Sequence, residues 1–372
     1  MSARIVFLEK HFHELRDYVF DRPGVEGAAF ILCGQSRSEC SNKLIAHAVM
    51  PIAGEDYARR EPYGLTITSR ALARITKLAR YEGLSIVFAH SHPGGVPEFS
   101  EQDDREEAKL IPFLQSRVPD RVHGTVVLTE DSIAGRLFCP GCVPASGVLT
   151  IGDRIRVWSP EFGADIQQIF DRQVRAFGND IQRILRVLHV GVVGLGGTGS
   201  PLAEQLYRLG IGNLTFFDGD KLESTNINRV YGSGMRDVGE HKVVIAKRHL
   251  DRIGLDTKVN IVPDHITYEH AAKSLRDCDI VFGCTDKQLP RAILTKLALQ
   301  YSIPVLDLGV LIDSVASQIK GVHGRVTTMM PGEACLFCRG RISPEAIRIE
   351  ALSKEDRIKL RIPVISSSHS TR

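Results

Sequence analysis

The sequence predicts an α/β protein of two domains, the second built on a doubly wound parallel sheet. Three observations predict it. A chain of 372 residues exceeds one ordinary core and suits two. Its second half alternates short apolar runs with helical patterns, the signature of parallel strands joined by crossover helices. Around Trp158-Ser159-Pro160-Glu161-Phe162-Gly163 the patterning lapses, which sets expected domains at 1–158 and 165–372.

The elements follow in order. Residues 9–20 carry apolar side chains at helical spacing, and Arg22-Pro23-Gly24 breaks the pattern. Ala28–Cys33 and Leu84–Ala89 read as strands, the second leading straight into His90-Ser91-His92-Pro93. A helix is expected from Ser100 to about Leu110, acidic in its first turn and stopped before Pro112. Gly124–Leu128 is the next strand. In the second half, Val190–Val193, Leu214–Phe217, Ile280–Phe282 and Pro304–Leu306 read as strands, with helices at Ser200–Leu209 and Lys242–Ile253. The tail 366–372 is polar and is expected to be disordered.

Composition narrows the class. Hydrophobic residues at 43% and charged residues at 24% are ordinary for a globular chain. A net charge of +3 gives no reason to expect a nucleic-acid or membrane partner. No apolar run reaches the ~20 residues of a membrane helix. The opening twenty residues interleave charge with apolar residues, unlike a signal peptide. A cytoplasmic protein is therefore expected, its eight cysteines reduced or metal-bound.

The first chemical constellation is His90-Ser91-His92-Pro93, six residues, Ser100, two residues, Asp103. Residues two apart on an extended strand face the same side, so His90 and His92 address one ion together. Asp103, opening the next helix, adds a third ligand. Two imidazoles and a carboxylate suit Zn²⁺ and leave a fourth position for water, as in catalytic sites. Glu26 is the candidate general base. Ser100 and Asp103 alone also spell a helix capping box.

This order and spacing resembles the JAMM (MPN-plus) family of zinc isopeptidases over roughly residues 1–155. The resemblance implies an MPN α/β domain with His90, His92 and Asp103 as zinc ligands and Glu26 as the acid/base. It assigns Ser100 to steadying the tetrahedral intermediate. It also implies cleavage after the C-terminal glycine of a ubiquitin-like protein.

The second constellation is Gly194-Leu195-Gly196-Gly197-Thr198-Gly199, between a strand and a helix, with Asp218 closing the next strand. Such glycines permit a tight turn and close approach of phosphates to a helix N-terminus. The acid about twenty residues on suits a ribose. To this point an NAD site reads equally well. Asp220, Asn226, Arg229, Lys242 and Asp286 break the tie. Hydride transfer has no need of an arginine, a lysine and a further acid around the phosphates. Adenylate formation does: Arg229 and Lys242 neutralise the pyrophosphate leaving group and Asp286 holds Mg²⁺.

The run resembles the ThiF/MoeB and ubiquitin-activating adenylation domains over roughly residues 168–340. The resemblance implies a Rossmann-like fold that binds ATP and Mg²⁺, using Gly194, Gly196, Gly197 and Gly199. Asp218 then binds the ribose, Arg229 and Lys242 bind phosphates, Asp286 holds magnesium, and Asp220 and Asn226 lie in the nucleotide shell. Arg172 matches an arginine that reaches a neighbouring subunit's site, which implies a homodimer.

Cys335 and Cys338 match half of that family's four-cysteine structural zinc site, and no cysteine follows them. The adenylation domain is accordingly expected to be short at its C-terminal end, with a doubtful second zinc. Cys139 and Cys142 read as a small redox or zinc motif or, the preferred expectation, as buried structural thiols, and Cys278 and Cys284 as packing residues. No cysteine stands out as a thioester nucleophile. Taken together, the expectation is a processing and activating enzyme for a ubiquitin-like protein ending in Gly-Gly. The alternatives are sulfur-carrier activation for biosynthesis and a non-catalytic scaffold that binds a ubiquitin-like tail.

Overall fold

The computed structural model describes residues 2–39, 41–139, 141–159, 166–315 and 318–352. The tail read as disordered lies outside them. The chain divides into two compact units, Met1–Ala164 and Asp165–Arg372. No helix among the described residues is long and apolar enough to cross a membrane.

The first unit runs β1 (Ser2–Leu8), α1 (Glu9–Val19), β2 (Ala28–Arg37), β3 (Ser41–Pro51), β4 (Tyr57–Glu61), β5 (Gly64–Ile67), α2 (Ser69–Glu82) and β6 (Ser85–Ser91). It continues with α3 (Glu101–Arg117), β7 (His123–Leu128), β8 (Ile133–Phe138), β9 (Cys142–Pro144), β10 (Gly147–Ile151) and β11 (Arg156–Trp158). Nine strands form one mixed sheet in the order β11-β10-β1-β3-β2-β6-β7-β8-β9, and β4–β5 is a separate hairpin.

The sheet is covered on both faces. Ile31 and Cys33 of β2 join Phe12, Leu15 and Val19 of α1 in one core. Phe30 and Leu32 join Ile75 of α2 and Ile111 and Leu114 of α3 in the other. Strands buried on both sides lose the alternation of a half-exposed strand, which is why this stretch reads as an unbroken apolar run.

The helix expected to stop before Pro112 does not stop. α3 continues to Arg117 with Pro112 inside it. The proline removes one backbone hydrogen bond, at a cost of about 3 kcal/mol. Leu114 and Val118, 0% and 3% exposed, lie beyond it against the sheet. At roughly 1.5–3 kcal/mol each, their burial offsets the proline.

The second unit holds α4 (Asp171–Phe177), α5 (Asn179–Val187), β12 (His189–Val193), α6 (Gly199–Arg208), β13 (Asn213–Phe217), α7 (Lys242–Ile253) and β14 (Lys258–Val262). There follow α8 (Glu269–Ser274), β15 (Ile280–Gly283), α9 (Gln288–Tyr301), β16 (Val305–Val315), β17 (Gln318–Met329) and α10 (Pro344–Ala351). The sheet order is β14-β13-β12-β15-β16-β17. β17 is antiparallel to β16, and the other pairs are parallel. The chain starts at central β12, winds outward to β14, then returns to β15 on the other side. Strand order reverses between β12 and β15, and in doubly wound sheets the ligand crevice opens at that point. This is the predicted doubly wound fold.

β16 outruns its expected span. Only Val305–Asp307 pair with β15, whereas the whole strand pairs with β17. Val310, Ile312, Ile319, Val322 and Val326 on this two-stranded extension are exposed. The sequence pattern registers only the buried base of the strand.

Candidate metal and nucleotide sites

β6 delivers the two histidines. His90 lies in the strand, and His92 prolongs its direction because its N–H donates to Leu128 O at 2.7 Å. Their Nε2 atoms are 3.2 Å apart. Asp103 meets both: Oδ1 is 3.0 Å from His90 Nε2, and Oδ2 is 3.5 Å from His92 Nε2. Two nitrogens about 2.0–2.1 Å from a shared tetrahedral ion lie roughly 3.3–3.4 Å apart, so the donor set fits a zinc-sized ion. Among the described residues this is the one group of three side chains able to hold a metal.

Ser100 and Asp103 also form the capping box. Ser100 N–H and Oγ each donate to Asp103 Oδ2 at 2.7 Å, and Asp103 N–H donates to Ser100 Oγ at 3.2 Å. The cap and the ligand are thus one carboxylate using two oxygens. Burial opposes ionisation of Asp103, but hydrogen bonds from His90 and His92 outweigh it and hold the carboxyl well below the usual range. The bond to Asp103 raises the His92 imidazole above its ordinary value.

Glu26, 9% exposed, precedes β2 in electrostatic reach of the cluster. Burial raises its carboxyl, with His90 and His92 pulling the other way. A raised carboxyl binds its proton more readily than an exposed one, which suits a group that must take a proton and give it back. Its loop is pinned from below. Ser91 Oγ accepts Gly27 N–H at 2.9 Å and donates to Val19 O at 2.7 Å. A Cβ on Gly27 would stand 2.4 Å from Val19 O, so only glycine permits this approach. Arg60 Nε donates to Glu26 O at 2.9 Å while its guanidinium pairs with Asp21.

In the second unit the glycine turn sits between β12 and α6. Gly194 has φ +90°, and a Cβ on Gly199 would stand 1.8 Å from Gly194 O. Gly196 has open space at its Cβ position, and the stem of Arg229 lies against Gly197. Asp218 braces the turn: Oδ2 accepts Leu195 N–H at 2.6 Å, and Oδ1 accepts Asp220 N–H at 2.8 Å. Burial raises the Asp218 carboxyl, with Lys242 opposing the shift. Lys242, 8% exposed, reaches Asp220 Oδ2 at 3.0 Å.

Arg229 Nη1 donates to Thr225 O at 2.8 Å, and Asn226 Oδ1 accepts Glu223 N–H at 3.3 Å. Asp286 is exposed on the loop between β15 and α9, at the carboxyl ends of the strands. Arg172 is exposed on α4. The structure thus gathers the glycines, Asp218, Asp220, Lys242 and Arg229, and leaves Arg172 on an open helix.

The cysteines divide. Cys335 and Cys338 bring their sulfurs to 3.6 Å, and no third metal-capable side chain joins them among the described residues. Cys278 is fully buried, and burial pushes the Cys284 thiol up to about 12. The expectation that Cys139 and Cys142 are buried is wrong: Cys139 is half-buried and Cys142 exposed. Cys142 opens β9, the edge strand of the sheet, where no further strand among the described residues covers it.

Residues 170–367 match the ThiF family across more than half of the chain. The chain belongs to the ThiF family. Residues 8–134 match the prokaryotic homologs of the JAB domain, so a JAB/MPN-type domain precedes the ThiF domain. The chain is similar to protein HesA of Leptolyngbya boryana, 30% identical over 170 residues, 45% of this chain and 58% of that protein. It is also similar to the molybdopterin-synthase adenylyltransferase of Escherichia coli, 30% identical over 178 residues, 47% of this chain and 69% of that one. Among solved structures, E. coli tRNA N6-threonylcarbamoyladenosine dehydratase, TcdA, in complex with ATP shares 26% identity and a TM-score of 0.37, covering 40% of this chain and 61% of that one. The chain spans less than two thirds of the length of HesA, 58%.

Sequence reasoning passed over Ser91 and Arg60, which set the Glu26 loop of the JAB-type domain. Ser91 left one signal: as the middle residue of His-Ser-His it must face away from the ligands. Arg60 left none.

Proposed function

We propose that the chain hydrolyses a peptide or isopeptide bond at its JAB-type site and adenylates a C-terminal glycine at its ThiF site. Both reactions would act on a ubiquitin-like protein ending in Gly-Gly. The observation that carries this reading is the presence, in one chain, of a complete His90–His92–Asp103 donor set and a glycine turn flanked by Lys242 and Arg229.

At the first site His90, His92 and Asp103 would hold zinc. Zinc there supplies Lewis acidity and makes water nucleophilic near neutral pH. Glu26 takes the proton from water and returns it to the leaving amine, a task its raised carboxyl supports. Ser100 steadies the oxyanion by turning its one hydroxyl proton from Asp103 Oδ2 to the intermediate, while its backbone N–H keeps the cap.

At the second site a carboxylate oxygen of the partner's terminal glycine attacks the α-phosphorus of ATP. The bond to the bridging oxygen breaks and pyrophosphate leaves. Lys242 and Arg229 balance the charge that grows on it. Asp218, with Asp220 and Asn226 alongside, positions the ribose, and Asp286 holds magnesium. Arg172 completes the site of a second subunit in a homodimer.

The alternative of sulfur-carrier activation has one specific support, the similarity to a molybdopterin-synthase adenylyltransferase. The Cys284 thiol, pushed up to about 12, suits neither reading as a thioester nucleophile. The decisive experiment uses a partner extended beyond Gly-Gly. Glu26→Gln should retain about one zinc and lose cleavage by roughly 10²–10⁴. Asp286→Ala should abolish pyrophosphate exchange and spare cleavage. Normal cleavage by Glu26→Gln, or normal exchange by Asp286→Ala, would overturn the corresponding half.

A further inference from the structure

At the carboxyl end of the parallel part of β16, one buried carboxylate holds two arginines. Asp307 is fully buried. Its Oδ1 accepts Arg291 Nε at 3.1 Å and its Oδ2 accepts Arg325 Nη2 at 2.7 Å. Arg291 comes from α9, Arg325 from β17. Their side chains are 13% and 31% exposed, so neither is sealed from solvent. Arg325 Nε is buried and has no hydrogen-bond partner. Both Nη2 atoms converge over Gly309: a Cβ there would stand 3.3 Å from Arg325 and 3.4 Å from Arg291. The glycine leaves a side-chain-free floor beneath two planar donors.

A cluster built only to neutralise Asp307 needs one cation. The second leaves a net charge of +1, and each guanidinium carries five N–H donors, most of them unused by Asp307. Collecting excess positive charge in a partly buried place is unfavourable without an anion. Two forks set side by side by a shared carboxylate are shaped for a planar, bidentate acceptor. The position is also specific. Asp307 pairs in register with Gly283, whose neighbour Cys284 places its carbonyl against Gly194 of the nucleotide turn. The cluster therefore lies one strand beyond the crevice, at the same end of the sheet. Lys242 reaches the site from α7 instead, which packs on β14 at the opposite end of the strand order.

We infer that Arg291 and Arg325, positioned by Asp307, form a carboxylate-binding seat for the acceptor of adenylation, distinct from the residues that face the phosphates. The inference rests on the adenylation reading for its reaction but not for its ligand chemistry. A monoanion matches the +1 charge, whereas a triphosphate demands the additional cations found at Lys242 and Arg229. Attack of one anion on another requires screening of the incoming carboxylate, and this pair supplies it.

The test follows the arginine Nε–H resonances of the full chain by NMR, assigned with Arg325→Lys and Arg291→Lys. N-acetylated glycylglycine, a monoanion, is titrated in, with its C-terminal amide as the uncharged control and Mg·ATP as the phosphate source. The expected result is a saturable shift of the Arg325 and Arg291 signals with the acetylated dipeptide, absent with the amide. Arg325→Lys should weaken half-saturation about tenfold, because an ammonium cannot reproduce the fork. A saturable response of the same two signals to Mg·ATP alone would assign the cluster to phosphate and overturn the proposal. Identical behaviour of the acetylated dipeptide and its amide would reduce the cluster to a structural ion pair and overturn it as well. Failure of Mg·ATP to bind the wild-type chain at all would instead sink the adenylation reading, and the carboxylate response would stand or fall separately.

Discussion

Ser100 donates twice to one oxygen of Asp103: Oδ2 takes both the N–H and the Oγ of Ser100 at 2.7 Å, while Oδ1 faces His90 at 3.0 Å. Oδ2 caps the helix and also lies 3.5 Å from His92, while Oδ1 faces His90 alone. Cap and ligand are coupled, and a change to one should be felt in the other.

Ser100→Ala should therefore do two things. Loss of the cap should cost about 0.5–2 kcal/mol of stability, read by urea unfolding. Loss of the bond orienting Asp103 should weaken metal binding by roughly 10–100-fold, read by chelator competition. A variant with lowered stability but unchanged metal affinity would show that Asp103 is oriented by the histidines alone.

Ser91 offers a second test of positioning. Its hydroxyl satisfies Gly27 N–H and Val19 O in a buried place, so Ser91→Ala should cost about 1–3 kcal/mol. Hydrolysis should fall with metal content unchanged, since the loop that carries Glu26 is released and the ligands are not. Zinc content by atomic absorption and cleavage rate are the paired readouts.

At the ThiF site, Lys242→Ala should separate catalysis from stability. The Asp220 side chain is 54% exposed, so solvent compensates it when the lysine is gone and stability should change by less than about 1 kcal/mol. Pyrophosphate exchange should drop by roughly 10²–10³. An exchange rate within twofold of wild type would remove Lys242 from the phosphate site.

A pH dependence follows from Asp56, next to the β4–β5 hairpin. Burial opposes its ionisation, but Arg70 and Arg74 bind it at 2.9 and 2.6 Å and the carboxyl is lowered overall. A carboxyl lower in the folded than in the unfolded chain stabilises fully above the unfolded value, about 3.9, and its contribution is lost as pH falls through the folded value. Asp56→Asn should thus melt below wild type at pH 7, with the gap in Tm closing below about pH 4. A gap that stays constant across that range would mean the arginines do not hold the ionised form.

What could be read from the sequence was what the chain places locally. His90 and His92 point to the same side because a strand alternates with period two, and Asp103 lies in the first turn of the very next helix. The glycine turn, its following helix and the acid closing β13 form one strand–helix–strand unit, whose geometry is nearly independent of the rest. The tertiary structure decided everything that depends on which strands pair. Ser91 reaches Val19 only because β2 lies beside β6, and Arg60 reaches Glu26 only because the hairpin folds back over that loop. Asp307, Arg291 and Arg325 meet because β16 pairs with β17 beneath α9, an arrangement no local spacing encodes. Even α3 follows this rule. Pro112 states a local preference to stop, and the core on the sheet overrides it, because burial of Leu114 and Val118 against distant strands is worth more than one backbone hydrogen bond.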